Sequence, residues 1–412
     1  MVDKNLLAQF NLAQLPPEFY QNPYPFYQAL RADQAIKPMS DGSYFLTRYE
    51  DIQSVYKNPK LFSSDKQREF KPKYGASALY EHHTTSLVFN DPPLHTRVRK
   101  LIAGALHPKA LENLEPGLIQ CVQGLLDKMQ GKTQVDLIED YAMHIPIEII
   151  GNLLGIPHEE REPLRAWSLA ILGALEPKLS PEMFAAGNRA VSEFLLYLED
   201  LIARRRNEPG DPEKDVLTRL MQGEAGESLS HQELLHNCIF LLNAGHETTT
   251  NLIGNSLYTL LEHPEQKQLL LEHPELIHSA VEEFLRFESS NQLGNRISTA
   301  PTELNGVHLP AQTQITLCIG AANRDPERFP EPDRLDIQRT PNRHLAFGSG
   351  IHQCVGLNLA RMEGRIAIGH FLQRYPQYHL AAPATRGGRA RFRGFLNIPC
   401  YLNPTNNGEA TA

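Results

Sequence analysis

No stretch of about 18 uncharged apolar residues occurs in the 412-residue chain, so no membrane-spanning helix is expected. The N-terminal stretch MVDKNLLAQFNLAQLPPEFY lacks a basic region followed by an apolar run. It predicts neither a signal peptide nor a membrane anchor, and a cytoplasmic protein. Gly/Ser linkers, charge blocks and low-complexity tracts are also missing, and one domain over 1–412 is expected. A basic excess is lacking: Lys plus Arg total 40 against 48 Asp plus Glu, a net charge of −8. That argues against nucleic acid as a partner. Cysteine is scarce, at Cys121, Cys238, Cys318, Cys354 and Cys400, and no CxxC pair exists. A disulfide framework and a structural zinc site are therefore excluded. The ordinary role of each cysteine is that of a small buried hydrophobe. The one internal echo, LLEHPEQ against LLEHPEL, is too short for an architectural repeat.

What the chain does have is helical pattern. Residues 184–206 carry apolar positions at 3–4 spacing and end in three arginines, which suit a helix C-terminus. Ser230 and Glu233 predict a capping box. From there a helical pattern runs to about Glu262, apolar on nearly every side, as expected of a helix crossing the core. Further helices are predicted over 274–287 and 355–374. Strand signals are sparser, at 43–47, 303–309, 314–318 and 395–402. The Pro- and Asp-rich stretch 323–343 reads as a long irregular connection. The expected fold class is mainly α with small peripheral β-sheets.

Cys354 departs from the ordinary role. It sits in FGSGIHQCVG, Phe347 to Gly356. Glycines before the sulfur permit backbone conformations barred to other residues and a close approach to a flat ligand. A helix start just beyond it favours a thiolate, and Phe347 can shield one side of the sulfur. The implied chemistry is one soft anionic ligand on a metal held mainly by something else, a porphyrin.

This segment resembles the haem-ligand signature of the cytochrome P450 family, matching Phe347, Gly348, Gly350, His352, Cys354 and Gly356. Further segments follow in the family's order. Glu283 and Arg286 resemble its Glu-x-x-Arg helix, where i and i+3 share a face and form an ion pair. The family places a third partner on the following connection, for which Arg334 or Arg343 is the candidate. Ala244-Gly245-His246-Glu247-Thr248 resembles its oxygen-activation motif. There Gly245 removes bulk, Thr248 offers a hydroxyl, and Glu247 relays protons; His246 is structural or part of the relay. His95, Arg99, Arg296 and His352 match the residues that hold the haem propionates, which must be paired if buried.

The resemblance implies a long central helix over a haem, with the cysteine loop on the other face. Expected cofactors are haem b (iron protoporphyrin IX) and electrons from NAD(P)H. No flavin or iron–sulfur motif is present, so ferredoxin and ferredoxin reductase are the expected partners. Arg97, Lys100, Arg361 and Arg365 are candidates for a basic docking face. Family register places substrate contacts on 71–88 (Val88), 167–175, Leu241 with Leu242 and Ala244, and 291–293 with Leu396. Gln292 and Leu293 are expected to face the pocket, with Gln292 as a polar anchor. The leading reading is an O2-activating monooxygenase that hydroxylates or dealkylates an apolar organic molecule. Alternatives are a peroxide-driven peroxygenase, an electron-independent haem-thiolate isomerase, and a non-enzymatic haem or ligand-binding scaffold. The acid–alcohol pair Glu247–Thr248 counts against the peroxygenase, and its presence with Cys354 counts against the scaffold.

Overall fold

Ser230 caps the helix that organises the molecule. Its hydroxyl accepts from the Glu233 amide at 3.2 Å, while the Glu233 carboxylate accepts from the Ser230 amide at 2.8 Å. Two orphan amides are satisfied at once, and the helix then runs unbroken from His231 to Glu262. At 1.5 Å per residue this is about 48 Å. The computed structural model describes residues 7–106, 108–212, 215–223 and 228–403.

The helices that build the site are α1 (Tyr49–Lys57), α2 (Gln67–Tyr74), α3 (Ala78–Thr85), α4 (Leu94–Ala105), α5 (Leu164–Gly173), α6 (Pro181–Asn207), α7 (His231–Glu262), α8 (Ile277–Phe287) and α9 (Leu357–Arg374). The long helix α7 lies in the largest apolar cluster, with Leu242, Leu252, Ile253 and Leu257 packed among residues of the other helices. A second cluster lies under the main sheet and a third gathers the N-terminal aromatics. Among the described residues, no helix is long and apolar enough to cross a membrane.

The main sheet contains β1 (Ile36–Pro38), β2 (Tyr44–Leu46), β3 (Phe62–Ser63), β4 (Leu293–Ser298) and β5 (Gln314–Cys318), in the order β1-β2-β5-β4-β3. The predicted strand 303–309 is instead a hairpin, Thr302–Leu304 against Val307–Leu309. Asn305 and Gly306 both have positive φ, 47° and 79°, as a tight two-residue turn requires. The predicted strand 395–402 divides at Ile398 into Phe395–Asn397, which pairs with Thr385–Arg386, and Pro399–Tyr401, which pairs with Gln134–Asp136 and His379–Leu380. Residues 274–287 divide into a 3₁₀ turn over Pro274–Leu276 and α8.

One buried ion pair ties α8 to the irregular connection. Arg286 Nε and Nη2 donate to Glu283 at 2.7 and 2.8 Å, and both side chains are fully buried. The rest of the guanidinium is satisfied by the carbonyls of Asn323, Pro332 and Arg334. The carboxylate also accepts from the Asp336 amide, Asn342 Nδ2 and Arg339 Nε. Such saturation is what makes a buried pair tolerable. The third cation is Arg339, neither Arg334 nor Arg343. Arg334 lends only its carbonyl while its side chain pairs with Glu331, and the Arg343 carbonyl accepts from Tyr49 Oη at 2.6 Å. Spacing cannot choose among arginines on a connection with no regular period.

Candidate active site

The cysteine loop is shaped by two glycines. Gly348 and Gly350 hold φ of 65° and 70°, a region in which side chains are strained. A Cβ on Gly350 would stand 2.2 Å from the Tyr56 carbonyl oxygen. The Cys354 amide donates to the Phe347 carbonyl at 2.9 Å and closes the loop. Helix α9 starts directly after, with Gly356 as its N-cap. Burial pushes the Cys354 thiol up, while the Gly356 amide, Arg99 and Arg361 pull it down. A cation at the sulfur tips that balance to thiolate. A Cβ on Gly356 would meet no protein atom within 4 Å.

The burial of α7 is interrupted near its middle. Leu242, Asn243, His246 and Glu247 are buried, whereas Ala244 is exposed and Leu241, Gly245 and Thr248 are half-buried. Positions 241, 244, 245 and 248 lie on one helix face. The core helix thus leaves Leu241, Ala244 and the Thr248 hydroxyl partly uncovered. Gly245 has a packing reason beyond the removal of bulk: a Cβ there would stand 2.4 Å from Ile150 Cδ1.

Four basic side chains, His95, Arg99, Arg296 and His352, converge near one carboxylate, Asp91, which is itself held by Ser63 Oγ and the Ser64 amide. His95 and His352 have ring centroids 4.0 Å apart. Both ring nitrogens of His95 and Nε2 of His352 are buried and have no hydrogen-bond partner. Burial, joined by Arg99, lowers His95 to about 4; burial, joined by Arg296, His95 and Arg99, lowers His352 to about 2. Arg296 is buried on β4, donates to the Asn295 carbonyl at 2.7 Å and stacks over Tyr56. Among the described residues neither Arg99 nor Arg296 forms an ion pair, and no cluster of His, Cys, Asp and Glu suits a metal ion. Orphaned buried nitrogens, and a cysteine that shares Arg99 with them, fit haem: the basic group would take two propionates and the thiolate the iron.

Two polar side chains at the middle of α7 are held by hydrogen bonds. Thr248 Oγ1 donates to the Ala244 carbonyl at 2.7 Å. Glu247 turns the other way and is held by Arg389 Nη1 at 2.6 and 2.8 Å. Arg389 also donates to the Leu169 carbonyl on α5 at 3.1 Å. Burial pushes the Glu247 carboxyl up to about 7 against the pull of Arg389. His246 is buried, both its ring nitrogens lack partners, and burial lowers it to about 3. It therefore stands outside any hydrogen-bonded relay.

The expected pocket residues divide. Leu241 and Val88 are half-buried, and the Leu87 amide beside Val88 donates to Asn237 of α7 at 3.1 Å. Leu396 is exposed on its ribbon. Gln292 and Leu293 do not face the pocket. Gln292 Nε2 donates to the Ser289 carbonyl at 2.7 Å, and its Oε1 abuts Gly320. Leu293 is packed with Phe10, Phe19 and Phe45 in the N-terminal cluster. No local spacing names these partners. Trp167 also turns away, stacked on Phe194 and donating to Glu193 at 2.9 Å. Segment 71–88 comprises the end of α2, helix α3 and the first residues of the 3₁₀ turn Leu87–Phe89.

On the cysteine side the basic face is partly neutralised. Arg361 is paired with Glu282 at 2.7 Å, and Arg97 with Glu233 at the start of α7. Arg365 lies 3.3 Å from a ring nitrogen of His278, and Lys100 is exposed. Sequence reasoning missed Arg389, whose signal was the unassigned run TRGGRARFRG, with four arginines in eight residues. It also missed Glu363 of α9, a buried carboxyl pushed up by burial to about 8 and reached by Thr249 at 3.5 Å.

The cytochrome P450 family profile matches residues 9–378. The chain is 41% identical over 395 residues to a vitamin D(3) 25-hydroxylase of Pseudonocardia autotrophica, covering 94% of this chain and 95% of that protein. It is 38% identical over 370 residues to a biotin biosynthesis cytochrome P450 of Bacillus subtilis, covering 88% and 92%. Among solved structures, P450BioI in complex with hexadec-9Z-enoic acid ligated acyl carrier protein superposes with a TM-score of 0.88 at 36% identity, covering 94% of this chain and 100% of that one.

Proposed function

The chain belongs to the cytochrome P450 family and is a haem-thiolate monooxygenase; from that premise we propose the roles of its residues, its electron route and its substrate type. Cys354 would bind the iron through its sulfur. His95, Arg99, Arg296 and His352 would hold the propionates, and Phe347, Gly348, Gly356, Ala244 and Gly245 would pack against the ring. A thiolate-ligated haem supplies the redox chemistry that activates dioxygen and oxidises a C–H bond. The protein's share is to aim protons and exclude water. Thr248 holds a hydroxyl on the partly uncovered face of α7. Glu247, raised to about 7, exchanges a proton near neutral pH, the property a relay acid needs. Glu283 and Arg286 fix α8 behind the cysteine loop.

The observation that carries this reading is the set of orphaned buried donors, His95 and His352, together with the partly uncovered face of α7. The substrate is a small, largely apolar organic molecule lying against Val88, Leu241 and Leu396. Electrons come from NAD(P)H through a ferredoxin reductase and a ferredoxin docking near Lys100 and Arg365. One haem unit is built over 1–412, since its residues come from segments spread between His95 and Cys354. The five cysteines are free thiols, which suits the reducing cytoplasm.

The test is the absorbance spectrum of the ferrous carbonyl complex, followed by turnover. A thiolate Soret band, lost in Cys354→His, and turnover that requires NAD(P)H with both redox proteins support the reading. Turnover with peroxide alone supports the peroxygenase. Turnover without any electron source supports the isomerase.

A further inference from the structure

Two cations stand together at the segment that follows α5, and neither forms an ion pair with a carboxylate. Lys73, in the last turn of α2, donates to the Glu176 carbonyl at 3.2 Å. Arg391 donates to the carbonyl of the preceding residue, Leu175, at 3.3 Å, and to Leu293 O and Asn295 Oδ1 on β4. Adjacent carbonyls of the segment after α5 thus bring both cations to one place. The other charges nearby are spoken for. Lys66 pairs with Glu69 at 2.7 Å, and Arg389 pairs with Glu247. The remaining anion is Glu176, whose Oε2 accepts the backbone amides of Ala390 and Arg391 and whose Oε1 has no partner. Two cations against one carboxylate leave a single positive charge.

We propose that Lys73 and Arg391 receive the carboxylate of an otherwise apolar, amphiphilic substrate. The donors are in hand. A guanidinium has five N–H groups and an ammonium three; three of Arg391 and one of Lys73 are committed, so each keeps two. Arg391 spans from Leu175 to Asn295, next to Arg296 at the proposed haem edge, so a bound head lies beside that edge. Behind Lys73 the packing is apolar and aromatic. Tyr74 and Phe70 stack edge-on, and His83 packs 5.5 Å from Tyr74 and 5.6 Å from Phe70 and from Phe89. His83 is buried with its Nε2 unpartnered, and Val88, beside Phe89 in the chain, and Leu241 of α7 are both half-buried. A charged head followed by an apolar body matches this order. The lowering of Lys73 to about 8, by burial and then by Arg391, fits two cations held close without an anion between them. An anion between them reverses that repulsion.

This inference rests on the proposed monooxygenase reading and names the substrate class for it. The probes are dodecanoic acid and its methyl ester, titrated into the haem-loaded full-length protein. Soret shifts give the two dissociation constants, and calorimetry gives the same ratio without relying on the spectrum. The acid binds about tenfold or more tightly than the ester, as charge-assisted hydrogen bonds require. In Lys73→Gln and in Arg391→Gln the preference falls to within about twofold, and Arg391→Lys keeps part of it. Equal binding of the two probes, no binding of the acid, or a preference unchanged in the variants overturns the proposal. Arg391 bridges three segments, so Lys73→Gln decides alone if Arg391→Gln fails to fold. Loss of haem from the variants with the acid preference intact assigns the cations to the propionates instead and also overturns it. A ferrous carbonyl spectrum without thiolate character sinks the monooxygenase reading, while the calorimetric ratio still reports on the anion site.

Discussion

Glu247 and Arg389 lie 142 residues apart and form a two-contact ion pair, 2.6 and 2.8 Å, at the side of α7 opposite its partly uncovered face. The acid proposed to relay protons is therefore sealed by a guanidinium from the C-terminal segment. Glu247→Gln keeps the shape and removes the proton exchange. Turnover falls about 100-fold, the usual scale for general acid–base catalysis, measured as product formed per haem at saturating redox partner.

The same pair sets a pH profile. Burial raises Glu247 to about 7, so the carboxyl carries its proton below that pH and loses it above. Turnover limited by that proton declines as pH rises through about 7. Arg389→Ala removes the one group pulling the value down, so the declining limb moves to higher pH, and Glu247→Gln abolishes it. A limb unmoved in Arg389→Ala separates the acid from its partner.

Arg286→Ala strips a fully buried carboxylate of its main counter-ion, a loss of about 3–5 kcal/mol. Arg339→Ala removes the half-buried third cation and costs about 1–3 kcal/mol. Arg334→Ala and Arg343→Ala, at exposed side chains, change stability by within about 0.5 kcal/mol. Urea midpoints of the four variants rank them.

Two glycines of the cysteine loop separate folding from cofactor binding. Gly350→Ala places a Cβ at 2.2 Å from a backbone oxygen at positive φ, so the loop must move and the denaturation midpoint drops. Gly356→Ala meets no protein atom, so the midpoint of the haem-free protein holds while haem affinity falls. Haem titration of both apo-proteins reads the difference.

Buried neutral histidines make the fold acid-sensitive. His82 is held well below its usual value, and His83 and His246 are near 3, each chiefly by burial. The unfolded chain binds those protons below about pH 6.5 while the folded chain refuses them, so stability is complete above that pH and lost as pH falls from 6.5 toward 3. At pH 5 the loss is on the order of 2 kcal/mol per histidine. Thermal midpoints between pH 7 and 5 measure it, and His246→Phe flattens the slope.

Periodicity and local motifs carried the helical architecture. The Ser230–Glu233 box marks the start of α7 to the residue, and the pattern of 314–318 is strand β5. Side-chain direction was legible on helices, where Glu283 and Arg286 share a face by spacing alone. Where the chain enters a strand it was not: Gln292 precedes β4 and is held by the Ser289 carbonyl, and Leu293 opens β4 inside the N-terminal aromatic cluster, partners that no local spacing names. Long-range partners were least legible. Nothing local tells Arg389 to meet Glu247 or Arg339 to meet Glu283, since those choices are made by chain paths that no short window contains. The Asn305–Gly306 turn was different, a signal present in the sequence and passed over.

The arginine-rich stretch behaves mechanically as a single hub with four spokes. Arg386 and Arg393 reach Glu288, with Arg393 also holding the Tyr20 and Gln21 carbonyls; Arg389 joins Leu169 of α5 to Glu247; Arg391 joins Leu175 to β4. Helix α5 cannot rise away from α7 unless Arg389 lets go of Leu169 or of Glu247. The lifting of α5 and the fastening of the buried acid are thus geared to one another by one side chain.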